Sequence, residues 1–178
     1  MFYDPKDFPF TAPLEENWQR IRDEFMAIRE ELIEWVEREL YDNSWRLFMM
    51  YGFPHGEPNE QNIGKCPFTS SLVHRIAPSH GVVTFSILQP KTNIKPHTGY
   101  QGNFLRCHLG LAIPEGDSAL RVGDTTRQWQ NGRVMVFDDR IEHAAWNLTD
   151  KQRAVLLFDF VPDPSVYKST QTQPPASA

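Results

Sequence analysis

Downstream of Pro78 the sequence is a series of short apolar runs separated by turn-forming residues, and this alternation most restricts what the chain can become. Val82 to Leu88, Phe104 to Ile113, Arg133 to Asp138 and Ala154 to Val161 are rich in Val, Phe, Leu and Thr, with Gly, Pro, Asn and Asp between them. Such residues suit a pleated, largely buried surface, so short runs at this spacing predict a β-sandwich or barrel. No strand–helix alternation accompanies them, which argues against a parallel βαβ sheet. Upstream, Leu14, Trp18, Ile21, Phe25, Ile28, Leu32, Trp35 or Val36, and Leu40 recur three or four apart. That period predicts one long helix from Leu14 to Leu40, with Pro13 in its first turn, lying on the sheet as a support. Trp18 and Trp35 then belong to its packed face. Gly52 to Pro67 reads as a long loop, and the tail from Ser165, rich in Gln, Thr, Ser and Pro, as disordered.

The 178 residues predict a single domain over 1–164, with helical support at about 14–48, a β core at about 70–162, and the tail at 165–178. A net charge of −5 has the wrong sign for a general nucleic-acid or anionic-membrane binder. Two cysteines, Cys66 and Cys107, exclude a disulfide scaffold and a Cys-rich zinc finger. No segment approaches the roughly 18 apolar residues of a spanning helix, and the first residues lack a secretory pattern. The expected compartment is the cytoplasm.

Period-two alternation sorts the strand residues by face. From Phe104 to Leu111 one face carries Leu105, Cys107, Leu109 and Leu111; the other carries Phe104, Arg106, His108 and Gly110, the glycine leaving room. Arg153 shares a face with Val155, Leu157, Asp159 and Val161, which places a cation at the mouth of an apolar cavity. Of six histidines, His97 sits in a polar, glycine-bearing turn between strands, and His143 follows a strand end and an acidic turn. Imidazoles at strand ends are candidate ligands for iron, copper, nickel or zinc. The two-His, one-carboxylate iron site usually reads His-x-Asp/Glu, whereas Gly99 stands two residues after His97. Three alternatives stay open on these residues: two protein ligands, a carboxylate from Asp138, Asp139 or Asp124, or no metal.

Taken in order, Phe85-Ser86-Ile87-Leu88-Gln89-Pro90, Pro96-His97-Thr98-Gly99 and Asn103-Phe104-Leu105-Arg106-Cys107-His108-Leu109-Gly110-Leu111 resemble the aspartyl/asparaginyl β-hydroxylase family. So do Arg121-Val122-Gly123, Trp129, Phe137-Asp138-Asp139, Glu142-His143, Trp146-Asn147 and Arg153. The resemblance runs unbroken from about Ser86 to Pro162. It implies a double-stranded β-helix (a jelly roll, cupin-like) and an oxygenase that uses Fe(II), 2-oxoglutarate and O2. It further implies that His97 and His143 bind the iron, the glycine at 99 being a family trait. Arg153 is implied to clamp the distal carboxylate of 2-oxoglutarate with help from Ser86. Arg106 and His108 would line the pocket near the cosubstrate's other end, and Asp139 would hold metal-bound water.

The implied reaction is hydroxylation of an unactivated carbon, with succinate and CO2 released. The short chain predicts a small molecule, amino-acid derivative or short peptide as substrate. Two other functions compete with this one. One is a halogenase, in which chloride takes the position that Gly99 leaves. The other is a non-catalytic β-barrel binding module with structural histidines.

Overall fold

The computed structural model describes residues 1–100 and 102–163. Two antiparallel sheets face one another. The larger is ordered β1 (Phe2–Tyr3), β9 (Val134–Phe137), β6 (Leu105–Ala112), β11 (Arg153–Phe160), β4 (His80–Leu88), β3 (Trp45–Tyr51) and β2 (Ile33–Glu34). The smaller is ordered β5 (Thr92–His97), β10 (His143–Asn147), β7 (Ser118–Val122) and β8 (Thr125–Gln128). Among the described residues four α-helices, α1 (Thr11–Glu16), α2 (Trp18–Ile28), α3 (Glu60–Lys65) and α4 (Pro67–Ile76), accompany the sheets. The protein is mainly β, a double-stranded β-helix with helical support, as expected.

Two apolar layers result. On the outer face of the large sheet, Leu14, Ile21, Phe25 and Ile28 of α1 and α2 pack with Phe85, Leu109, Leu156 and Phe158. Between the sheets, Val82, Leu120, Val122, Phe137, Val155 and Leu157 form a second layer. Strands β4, β6 and β11 lie in the middle of the large sheet and are buried on both faces. Polar residues on their inner face are therefore enclosed rather than solvated, a costly placement that partners or ligands must offset.

The helix ends earlier than its apolar period. After Ile28 the chain tightens into a 3-10 turn, Arg29–Glu31, and Leu32 is extended. Leu32 remains in the outer layer, but Trp35 belongs to the layer between the sheets. The same period thus feeds two cores, because the chain here turns around the sheet edge. Trp45–Tyr51, placed with the helical support by its sequence, is a strand of the large sheet. The loop from Gly52 contains α3, capped by Asn59, whose side chain accepts from the Asn62 amide. Residues 67–76 form α4, and Glu24 caps its start by accepting from the Phe68 and Thr69 amides at 2.9 and 2.8 Å. The expected tail, 165–178, lies outside the described residues.

Candidate active site

His97 and His143 are directly opposed across the β5–β10 pair, with ring centroids 4.2 Å apart. Each Nδ1 lies against a backbone carbonyl, Lys95 O at 2.8 Å and Ile141 O at 3.0 Å. A carbonyl only accepts, so each Nδ1 carries the proton and each Nε2 keeps its lone pair for a ligand. Burial and the neighbouring His97 push His143 down to about 3, and burial lowers His97 too, which keeps both rings neutral.

From the opposite sheet, β4, β6 and β11 direct Ser86, Arg106, His108 and Arg153 into the cavity that His97 and His143 line. The two arginines differ in kind. Arg106 is neutralised: its Nε and Nη2 donate to the two oxygens of Asp159 at 2.7 and 2.9 Å, and Nη2 lies 3.0 Å from Asp139 Oδ2. Burial opposes its charge, but the Asp159 and Asp139 carboxylates outweigh it and raise its pKa. Arg153 is 2% exposed and has no carboxylate partner among the described residues. Its Nη1 reaches only the Ser86 carbonyl at 3.4 Å, its Nε has no partner, and its guanidinium stacks 4.4 Å from the Trp129 ring. Burial alone pushes it down to about 9. It is an enclosed cation, not one at a cavity mouth as the strand pattern suggested.

Two further donors converge there. Trp129 Nε1 donates to His108 Nδ1 at 3.2 Å, so the His108 proton sits on Nε2, which is buried without a partner. Trp45 Nε1 donates to Ser86 Oγ at 3.0 Å and leaves the hydroxyl proton free to turn into the cavity. Neither Trp45 nor Trp129 carried a role in the sequence reading, since only the tertiary fold brings each indole to a site residue. Gly110 leaves no room for a ligand, because a Cβ there would overlap the Gln130 carbonyl.

The Asp139 carboxylate occupies the space beside Gly99. A Cβ at Gly99 would overlap the Asp139 carboxylate, and the Gly99 amide donates to Asp139 O at 2.8 Å. Burial raises the Asp139 pKa against the opposing pull of Arg106. Of the other acids weighed, Asp138 is paired with Arg140 at 2.8 and 2.7 Å, and Asp124 is exposed. No group of three metal-ligating side chains occurs among the described residues.

Residues 15–162 match the family described as aspartyl/asparaginyl beta-hydroxylase. The chain belongs to that family. An ornithine lipid ester-linked acyl 2-hydroxylase from Rhizobium tropici is 37% identical over 89% of this chain and 59% of its own length. The human aspartyl/asparaginyl beta-hydroxylase is 30% identical over 89% of this chain and 22% of its own length. The chain thus spans about three fifths and one fifth of these two relatives. Among solved structures, a Pseudomonas putida prolyl-4-hydroxylase superposes with a TM-score of 0.56 at 12% identity, covering 84% of this chain and 88% of that one. That likeness bears on the fold. No helix among the described residues is long and apolar enough to cross a membrane.

The family implies Fe(II), 2-oxoglutarate and O2, and the cavity fits them. A buried guanidinium with its Nε unpartnered and a buried imidazole N–H without a partner suit the carboxylates of a dianion. Two neutral imidazoles with fixed tautomers suit a divalent metal.

The same buried imidazoles predict a pH effect on the metal-free protein. His97, His108 and His143 all have pKa values lowered below 6.5, chiefly by burial. Below 6.5 the unfolded chain binds protons that the folded one refuses, so this stability is full above that value and is lost as pH falls. The melting temperature should be flat from pH 8 to 7 and drop from pH 6.5 to 5. His108→Gln should flatten that drop; an unchanged slope would show that His108 does not contribute.

Proposed function

We propose that the protein hydroxylates an unactivated carbon of a small molecule, amino-acid derivative or short peptide, consuming 2-oxoglutarate and O2 and releasing succinate and CO2. One observation carries this reading: a fully buried arginine without an anion partner shares a cavity with two opposed, neutral histidines. His97 and His143 would hold Fe(II) through Nε2. Bound there, the iron and 2-oxoglutarate supply the oxidising power that the protein's own side chains lack.

The residues around them bind, orient and exclude water. Arg153 presents its guanidinium to the distal carboxylate, and Trp129 and Leu157 keep water from competing for it. Ser86 Oγ and His108 Nε2 are the neutral donors that complete the anion's coordination. Asp139, held beside Arg106, would accept hydrogen bonds from water near Gly99. Its charge there favours hydroxylation over halogenation, because a halide would have to sit against a carboxylate. Arg153 alone would serve a non-catalytic anion-binding module equally well; the two opposed, neutral histidines in the same cavity are what favour an oxygenase.

Anaerobic titration with Fe(II) and then 2-oxoglutarate should produce a weak visible charge-transfer band that His143→Ala removes. No band, or an unchanged band in His143→Ala, would refute this reading. Product mass should not change when chloride is added.

A further inference from the structure

The inner cavity opens through an outer chamber that shares Trp45, His97 and Arg106 with it. Trp35, Phe53 and Tyr100 line it together with Trp45. Trp35 and Phe53 have centroids 5.1 Å apart at 51°, and Phe53 and Tyr100 lie 5.6 Å apart at 43°. They come from the bend after the helix, the loop after β3 and the turn after β5, three unconnected segments brought to one opening. Glu37 lies at the same opening, its Oε2 accepting from the Trp35 indole N–H at 3.0 Å. Its charge is felt across the chamber, where it adds to burial in raising the Tyr100 phenol against the opposing pull of Arg106.

The charges are one-sided. Arg106 is the one guanidinium among the residues lining the chamber, and it is held by Asp159 and Asp139. Asp159 and Asp139 hold it from outside the lining, which leaves Glu37 as the one carboxylate among the residues lining the chamber. An incoming anion meets no unengaged arginine in the chamber, whereas a cation meets a carboxylate and ring faces, the arrangement that recognises ammonium groups. Tyr100 is 46% exposed and Phe53 half-buried, so ring surface is available to an arriving ligand.

We propose that this outer chamber selects substrates bearing an ammonium group, with Glu37 as counter-ion and Trp35, Phe53 and Tyr100 as the walls around it. The ammonium end stays in the chamber and the rest of the molecule points past His97 towards the histidine pair. The proposal rests on the oxygenase reading for calling the occupant a substrate; the binding preference does not require turnover.

The test is ligand-observed NMR on the full chain, with and without anaerobic Fe(II) and 2-oxoglutarate, using hexylammonium, hexanol and hexanoate as isosteric probes. Hexylammonium should bind about tenfold tighter than hexanol, and hexanoate more weakly than either. Glu37→Gln should bring hexylammonium down to the level of hexanol, and Phe53→Leu should weaken it about fivefold. Glu30→Gln, at an exposed acid elsewhere on the surface, should change nothing. The proposal falls if, with 2-oxoglutarate bound, hexanoate binds as well as hexylammonium, if Glu37→Gln has no effect, or if Glu30→Gln weakens binding equally. Failure of the oxygenase reading would instead appear as a missing charge-transfer band with the ammonium preference intact.

Discussion

Arg153→Met is expected to make the ligand-free protein more stable while weakening its affinity for 2-oxoglutarate about a thousandfold. The two effects share one cause. The guanidinium is almost fully buried, reaches one carbonyl at 3.4 Å, and has no carboxylate beside it. Taking a cation out of water costs several kcal/mol, and the Trp129 ring returns only about 2. Methionine has similar reach, no charge and enough flexibility to fill the space, so about 1–3 kcal/mol of stability should be gained. For a chain of this size that is a rise of several degrees in melting temperature. Binding moves the other way. A bidentate charged pair contributes about 3–5 kcal/mol, so the 2-oxoglutarate dissociation constant should rise about a thousandfold. Thermal unfolding and anaerobic titration read the two independently. A destabilised Arg153→Met that still binds 2-oxoglutarate would mean that the arginine serves the fold and not the ligand. Arg153→Lys should fall between, because a point charge cannot make the planar pair.

The same arginine shows how far the sequence reaches. Alternation correctly separated Leu105, Cys107 and Leu109 from Arg106 and His108, since β6 is regular and its two faces differ in chemistry. It put Arg153 on the cavity face of β11 but at its mouth, because period two says which way a side chain points and nothing about how deep it lies. Depth comes from the second sheet, whose strands are short and partly polar; β8 is exposed throughout and leaves no apolar pattern to read. The helix failed for the opposite reason. Leu32 and Trp35 keep the apolar period although the chain has already turned, because each is buried in a different layer. Trp45 was assigned to the helical support when it is the strand residue that holds Ser86. The outer chamber was illegible: Glu37, Phe53 and Tyr100 meet only in three dimensions, and none stands in a motif. The pairing of Asp139 with Gly99 was half legible. The missing ligand could be seen and Asp139 stood among the candidate acids, but spacing alone did not show that its carboxylate lies against Gly99.

That pairing predicts the second large effect, which runs against the intuition that a missing iron ligand can simply be restored. Gly99→Asp should weaken Fe(II) binding rather than improve it. The backbone at Gly99 does not need glycine, since its φ lies outside the left-handed region; what needs glycine is the Asp139 carboxylate, which a Cβ would overlap. Even Gly99→Ala should cost about 1–3 kcal/mol, because Asp139 can retreat only by breaking its contact with Arg106. An aspartate adds a second carboxylate against the first, and like charges at that separation cannot both ionise without a large penalty. Displacing Asp139 would also strain the Gly99–Asp139 backbone bond that joins the turn after β5 to the one before β10, and with it the opposition of His97 and His143. Gly99→Asp should therefore lower the melting temperature by about 5–10 °C and reduce Fe(II) affinity at least tenfold. The double variant Gly99→Asp with Asp139→Gly moves the carboxylate from one strand end to the other while keeping one charge and one empty Cβ position. It should recover most of the stability and bind Fe(II) at least as tightly as the natural pair. Calorimetric metal titration and thermal unfolding of the three proteins decide the matter. A stable Gly99→Asp with improved iron affinity, or a double variant no better than the single one, would show that Asp139 does not stand in for the absent ligand.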